Sequence, residues 1–404
     1  MSPAALAALE QAVRAVVLDD GRTDMAAGRA LRDHPKLTAA EKAEVVRRAY
    51  AFVRQWRLVR HVAGLDGALR EPWATGVFAR LCVALELVEG VRPETVPPAF
   101  SPAVARRRLD EARAKGGALA YSLPDWLAEK LRASLGRRFD KVCAALLEES
   151  PCALRVNTRK GDAVTLAARL RAEGVATRPF PGLPFALEAA DRHAALRSQS
   201  FAEGFFELQD CGSQRVAPYL NPSPGLRVID ACAGEGGKTL HLSNLMEGRG
   251  RILAMDVEAR KLDTLRARAA RADAQNIATR LISPEAWREL AGTADRVLVD
   301  APCSGTGVLR RQPETKWRLT PEGVAERVAL QAAILSGAAF AAKPAGGLVV
   351  YATCSLLSEE NEGQVARFLA RHPGAFELEE QRRVLPGVDG DCDGFFMARL
   401  RRLA

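Results

Sequence analysis

LRVIDACAGEGGKTLHL (Leu226–Leu242) reads as a short β-rich run, a glycine-rich turn and the start of a helix. From this point to the end the chain alternates. RILAMD (Arg251–Asp256) is followed by a long Arg-rich helical stretch, then ATRLIS (Ala278–Ser283) and RVLVD (Arg296–Asp300). A helix over Val324 to Ala342 and the run GGLVVYATC (Gly346–Cys354) complete the pattern. Strands alternating with helices predict an α/β fold with a mostly parallel, doubly wound sheet. The closing FFMARLRR (Phe395–Arg402) suits an edge strand.

The turn itself carries chemistry. Glycines at 234, 236 and 237 let backbone approach a ligand closely, and the following helix start favours an anion or a carboxylate. A phosphate-binding GxxxxGK[ST] loop is excluded, because its first glycine would fall at Cys232. A GxGxxG dinucleotide fingerprint fails on spacing. The remaining reading is a turn for S-adenosylmethionine, with Asp256 at the end of the next strand placed for the ribose hydroxyls.

Two cysteines stand where strands should end. Cys303 lies in DAPCSGTG and Cys354 in YATCSLLSEENE, each after an apolar run. Ligands of open α/β sheets gather outside the carboxyl ends of the strands, and a thiolate is a strong nucleophile. An isolated cysteine is more often a small buried core residue. The polar, small-residue turns around these two favour a reactive pair.

Upstream, residues 1–118 read as a helical domain, with apolar residues three and four apart in Leu6–Val17 and Ala39–Gly64. VRPETVPPAFSP (Val91–Pro102) reads as a linker or extended segment, and Arg106, Arg107, Arg108, Arg113 and Lys115 form a basic helical stretch after it. Residues 119–222 read as linker helices and a small α+β subdomain, in which LRVNT, ATRPF and FFELQ bracket a helix. Residues 223–404 form the sheet domain.

A chain of 404 residues with 48% apolar residues and a mean hydropathy of −0.09 is expected to be soluble and multidomain. No run reaches the ~20 apolar residues of a membrane span, and MSPAALAALEQAVRA has no signal-peptide core, so a cytoplasmic protein without a membrane partner is expected. Eight scattered cysteines with no C-x-x-C pair, and five histidines, argue against zinc or a disulfide framework, and no metal is expected. A net charge of +9, mostly from Arg, favours a polyanionic partner.

DACAGEGGKT, DAPCSGTGVLRRQPETKW, YATCSLLSEENE, LRVNTRK and LPGVDGDCDGFFMARLRR together resemble the RsmB-like (Fmu/Sun) RNA cytosine-5 methyltransferases, in that family's order and from about Ala120 onward. The resemblance implies a Rossmann-like class I methyltransferase domain, S-adenosyl-L-methionine as donor with S-adenosyl-L-homocysteine as product, and a cytosine in RNA as acceptor. It implies Cys354 as nucleophile, Cys303 as the cysteine that releases the product, and Asp300 as a contact to cytosine and cofactor. Cys232, Ala233, Gly234, Glu235, Gly236, Gly237 and Lys238 would form the cofactor turn, with Asp256 on the ribose and Ser283 near the adenine. Arg155, Asn157, Arg310, Arg311 and Lys316 are the expected RNA contacts. Lys238, with Arg310 or Arg311, is expected to supply positive field for the thiolate.

The family's turn usually reads CAAPGGK, so Gly234 and Glu235 here replace Ala and Pro. The N-terminal helices resemble a shortened NusB-like domain, which favours ribosomal RNA as substrate, small subunit first. A monomer is expected. The alternatives are a transfer-RNA methyltransferase, a DNA cytosine-5 enzyme using Cys303, and an RNA-binding assembly factor without catalysis.

Overall fold

The computed structural model describes residues 1–404 except Pro72, Thr75, Ala99 and Pro284. Two compact units emerge: Met1–Glu149 with Val308–Pro321, and Ser150–Gly307 with Glu322–Ala404. Residues 308–321 therefore pack with the helical unit, although the sequence pattern places them inside the sheet domain.

The helical unit is built from Pro3–Val17, Thr23–Asp33, Ala39–Val62, Val77–Val88 and Pro102–Lys115, followed by shorter helices. Ser2 caps the first, its Oγ accepting from the Ala5 N–H, and Pro3 starts it without losing a helical donor. Thr38 and Glu41 form a capping box on the third, which explains why the helix begins at Ala39. That helix is interrupted at Gln55, whose φ of −113° and ψ of 19° are not helical. The cause is in the hydrogen bonds. Ser122 Oγ accepts from the Arg57 N–H at 2.9 Å, while the carbonyls of Val53 and Arg54 accept from Trp317 Nε1 at 2.8 Å and Lys316 Nζ at 2.6 Å. Side chains have taken over the broken turn of the helical ladder. Segment 308–321 is thus anchored, and Thr23 Oγ1 adds a 2.6 Å bond to Glu314. Phe52, Trp56, Trp73 and Phe78 form the aromatic part of this core.

The second unit holds two sheets. Strands β1 (Cys152–Val156), β2 (Thr177–Pro179), β3 (Ala186–Ala189) and β4 (Phe206–Leu208) form an antiparallel sheet in the order β2-β3-β1-β4. The stretches LRVNT, ATRPF and FFELQ account for three of these; β3 was not legible. Strands β5 (Arg227–Asp230), β6 (Arg251–Asp256), β7 (Ile277–Leu281), β8 (Arg296–Asp300), β9 (Leu348–Thr353), β10 (Phe376–Val384) and β11 (Phe395–Arg402) form the larger sheet. Its order is β10-β11-β9-β8-β5-β6-β7, with β7, β6, β5, β8 and β9 parallel and β11 antiparallel to both neighbours. This is the mixed α/β, Rossmann-like architecture expected, with one correction: FFMARLRR is not the edge. β11 inserts between β9 and β10, so its alternate residues are buried on both faces, from Phe395 to Ala398. The charged β10, FELEEQRRV, takes the edge, where exposed charge blocks further strand pairing.

Helix Pro321–Ala338 leads from β8 to β9. With residues 339–341 it is long and apolar enough to cross a membrane by length and composition only. In the fold it buries Val324, Gln331, Leu335 and Ala338. Chain order reverses at β5, which lies between β8 and β6, and ligands of such sheets bind at that switch, beyond the carboxyl ends.

Candidate active site

Three parallel strands end in an acid: β5 in Asp230, β6 in Asp256 and β8 in Asp300. The turn after β5 is tied to β6, because the Ala233 N–H donates to the Met255 carbonyl at 2.9 Å and the Gly234 N–H donates to Asp256 Oδ2 at 2.9 Å. Asp256 Oδ1 accepts from the Glu258 N–H, so the carboxylate is aimed before any ligand arrives. Gly236 sits at φ 87° and caps helix Gly237–Leu245 without a side-chain bond. A Cβ there would lie 2.6 Å from Leu265 Cγ, which makes glycine a steric requirement. The first N–H groups of the helix remain for a carboxylate or other anion. Above Gly234 a Cβ would meet nothing within 4 Å, so the turn faces open space on that side.

Two arginines hold the turn from behind. Arg155 Nη1 donates to the Gly237 carbonyl at 2.5 Å, and Arg268 Nη1 donates to the Glu235 carbonyl at 2.8 Å. Glu235 itself points its side chain to solvent. Ser283 follows the end of β7 and is half-buried. Cys232 is mostly enclosed, and burial pushes its thiol well up.

Lys238, on the first turn of the helix, reaches across to Asp300 Oδ2 at 2.6 Å and lies 5.1 Å from the centre of the Phe395 ring. Burial pulls the Lys238 ammonium down, but the Asp300 carboxylate, followed by Cys354 and Asp230, outweighs it and leaves the pKa raised. The ammonium is therefore a fixed positive charge beside Asp300 and Cys354. Asp230 behaves differently. It is almost fully buried, Thr239 Oγ1 donates to its Oδ2 at 2.7 Å, and its Oδ1 has no partner. Burial raises its pKa to about 7.

Cys303 follows β8 and Cys354 follows β9. The two strands are neighbours, with Asp300 opposite Ala352, and the thiols meet at 3.3 Å between sulfur atoms. The Cys303 thiol is pushed well above its ordinary range, first by its bond to Cys354 and then by burial. The loops approach so closely that Gly307 N–H donates to the Cys354 carbonyl at 2.8 Å, and a Cβ on Gly307 would lie 2.2 Å from the Gly394 carbonyl oxygen.

Residues 217–401 match the family model described as 16S rRNA methyltransferase RsmB/F, and residues 123–193 match the RsmF/B-like ferredoxin-like domain. Over 427 aligned residues, 96% of this chain and 98% of the relative, identity to ribosomal RNA small subunit methyltransferase B of Xylella fastidiosa is 34%. The chain belongs to the RsmB/F methyltransferase family. The same enzyme of Klebsiella pneumoniae is 36% identical over 293 residues, and there the match spans 66% of the relative's length. The crystal structure of PH0851 is similar over 100% of this chain and 99% of its own, with a TM-score of 0.79 and 25% identity.

Four of the five expected RNA contacts of this RsmB/F chain lie buried. Arg155 and Asn157 are buried, Arg155 on Gly237 and Gln209, and Asn157 on the carbonyls of Gly204 and Ala272. Arg310 and Lys316 are buried within the helical unit, where Lys316 bonds the Arg54 carbonyl. Arg155 and Lys316 bond the carbonyls the fold offers, as a buried cation must. Only Arg311 is part-exposed. Conversely, Asp230 and Glu360 were missed. The signal for Asp230 was the shared ending of RVID, RILAMD and RVLVD; Glu360, in SEENE, looks like a solvated helix start.

Proposed function

We propose that this chain transfers a methyl group to carbon 5 of a cytosine in small-subunit ribosomal RNA, through a covalent bond between Cys354 and carbon 6. The observation that carries the reading is the pair of thiols 3.3 Å apart at the carboxyl edge of the sheet, beside the Lys238–Asp300 ion pair. The Gly234–Lys238 turn, Asp256 and the open helix terminus fit S-adenosylmethionine, whose sulfonium supplies an electrophilic methyl group. The amino-acid carboxylate suits the helix N-terminus, and the ribose hydroxyls suit Asp256.

Carbon 5 of cytosine is a weak nucleophile. The Cys354 sulfur, as thiolate, forms a bond to carbon 6 and moves electron density to carbon 5. Asp300 hydrogen-bonds the ring as that density develops. After methylation, the carbon-5 proton must leave so that the Cys354–carbon 6 bond can break. Cys303 suits this step. Cys303 must first give up its own proton to solvent; its sulfur then takes the carbon-5 proton, the carbon 5–carbon 6 double bond re-forms, and Cys354 leaves carbon 6 as the thiolate. The base must be unstacked to reach either sulfur, which favours single-stranded or loop RNA. Action as a monomer in the cytoplasm belongs to the same proposal.

The test is a covalent trap. Cys354→Ala should abolish transfer, and Cys303→Ala should accumulate a protein–RNA adduct visible on a denaturing gel. An adduct that requires Cys303 instead would assign the roles the other way round. Bisulfite mapping of ribosomal RNA from a deletion strain identifies the cytosine, and an unchanged map would refute the ribosomal substrate.

A further inference from the structure

Between the two cysteine loops lies Glu360, with no exposed surface. Its Oε1 accepts from the Ser304 N–H at 2.8 Å and from Gln331 Nε2 at 2.9 Å. Its Oε2 accepts from the Ser304 hydroxyl at 2.5 Å and from the Ser355 hydroxyl through a short bond. Ser304 follows Cys303 directly, and Ser355 follows Cys354 directly. One carboxylate thus grips the residue after each thiol.

The surroundings are built to keep it there. The Ser304 and Ser355 hydroxyls are 3.1 Å apart, and Thr306 Oγ1 lies 3.3 Å from the first and 3.2 Å from the second. Thr306 also accepts from the Leu356 N–H at 2.8 Å. The Tyr351 hydroxyl donates to the Glu360 carbonyl at 2.7 Å, and Gln331 Nε2 reaches the Pro302 carbonyl at 3.0 Å. Beside it, Asn361 joins Thr353 Oγ1 and the Ser355 carbonyl. A buried carboxylate is costly unless its lone pairs are satisfied, and here four donors satisfy them. An acid retained at such a place, far from solvent, calls for a purpose beyond folding.

We propose that Glu360 is the positioning residue of the thiol pair, holding Cys303 and Cys354 in mutual contact by bonding the serine that follows each. Its catalytic meaning rests on the cytosine-adduct reading; its geometry does not. The negative charge of Glu360 also contributes to raising the Cys303 thiol, after Cys354 and burial.

Glu360→Gln is the informative variant, because the two serine hydroxyls can turn to accept from the amide while the charge disappears. A Ser304→Ala/Ser355→Ala double variant keeps the charge and removes both hydroxyl bonds, leaving, of the two cysteine loops, only the backbone N–H of residue 304 on Glu360. Both are made in the full chain, with folding followed by thermal unfolding and by calorimetry with S-adenosylmethionine. Iodoacetamide labelling of Cys303 and Cys354, read by peptide mass spectrometry across pH, needs no RNA. Loss of the charge should lower the pH midpoint of Cys303 labelling and raise its rate near neutral pH about threefold. In methyl transfer, both variants should lose about tenfold or more in kcat while KM for S-adenosylmethionine changes less than about twofold. Labelling and kcat equal to wild type in Glu360→Gln would overturn the proposal. If that variant does not fold, unchanged kcat in the serine double variant overturns it, and a selective loss supports it. If wild-type protein transfers no methyl group and forms no adduct, yet Glu360→Gln still alters Cys303 labelling, the positioning role stands and the cytosine reading fails.

Discussion

Lys238 and Asp300 form a 2.6 Å ion pair that joins the first turn of the helix after β5 to the last residue of β8. The two strands are adjacent, so the pair crosses the point where strand order reverses. It places one fixed cation and one fixed carboxylate beside the glycine-rich turn.

Lys238→Met should leave Asp300 without its partner and Cys354 without its neighbouring cation. Methyl transfer is expected to fall about 100-fold or more, and Cys354 labelling by iodoacetamide to slow at neutral pH. Stability should drop by only about 1–2 kcal/mol, since Asp300 is partly solvated. Labelling unchanged from wild type would show that Lys238 does not act on the thiol.

Gly236→Ala and Gly234→Ala should differ. At Gly236 the new Cβ meets Leu265 Cγ at 2.6 Å on a backbone with φ 87°. A cost of about 1–3 kcal/mol and at least about tenfold weaker S-adenosylmethionine binding are expected. At Gly234 the Cβ has open space, leaving only the left-handed backbone cost of about 1 kcal/mol. Calorimetry on both variants checks the contrast, and equal losses would contradict it.

Asp230 makes stability depend on pH in a known direction. Its folded pKa of about 7 lies above the unfolded value, so its contribution is fully present at low pH and is lost as pH rises through the folded pKa. Asp230→Asn does not titrate. Its stability relative to wild type should therefore increase from pH about 4 to about 7, by up to about 4 kcal/mol, and stay level above. Urea unfolding at several pH values tests this; a constant difference would rule it out.

Lys316 titrates with the opposite sign. Burial first, then Arg54, lowers its pKa to about 7 in the folded chain. The unfolded chain binds more protons between about pH 7 and 10, so folding should strengthen as pH rises through that window. Lys316→Met should flatten this rise in urea-unfolding midpoints, whereas a variant as pH-dependent as wild type would refute it.

The legible features share one property: they are carried by local pattern. RVID, RILAMD and RVLVD announced buried parallel strands, and the glycines of the turn announced close backbone approach. Strands β3 and β10 were not legible because ALEA and FELEEQRRV are too polar for an apolar alternation, and pairing with a neighbour holds them in place. The charge of Arg155 and Lys316 suggests a polyanion, whereas in the fold burial turns both toward carbonyls.

The sequence by itself determined the α/β class, the glycine-rich turn and the presence of two cysteines at strand ends, because periodicity, glycine and strand-terminal residues act over a few positions. Tertiary structure alone decided that β8 and β9 are neighbours, that the thiols meet at 3.3 Å, and that Glu360 bonds both loops. The thiol contact and the Ser304–Glu360 bond join residues 51 and 56 positions apart, and only strand order and burial bring such groups within hydrogen-bond range.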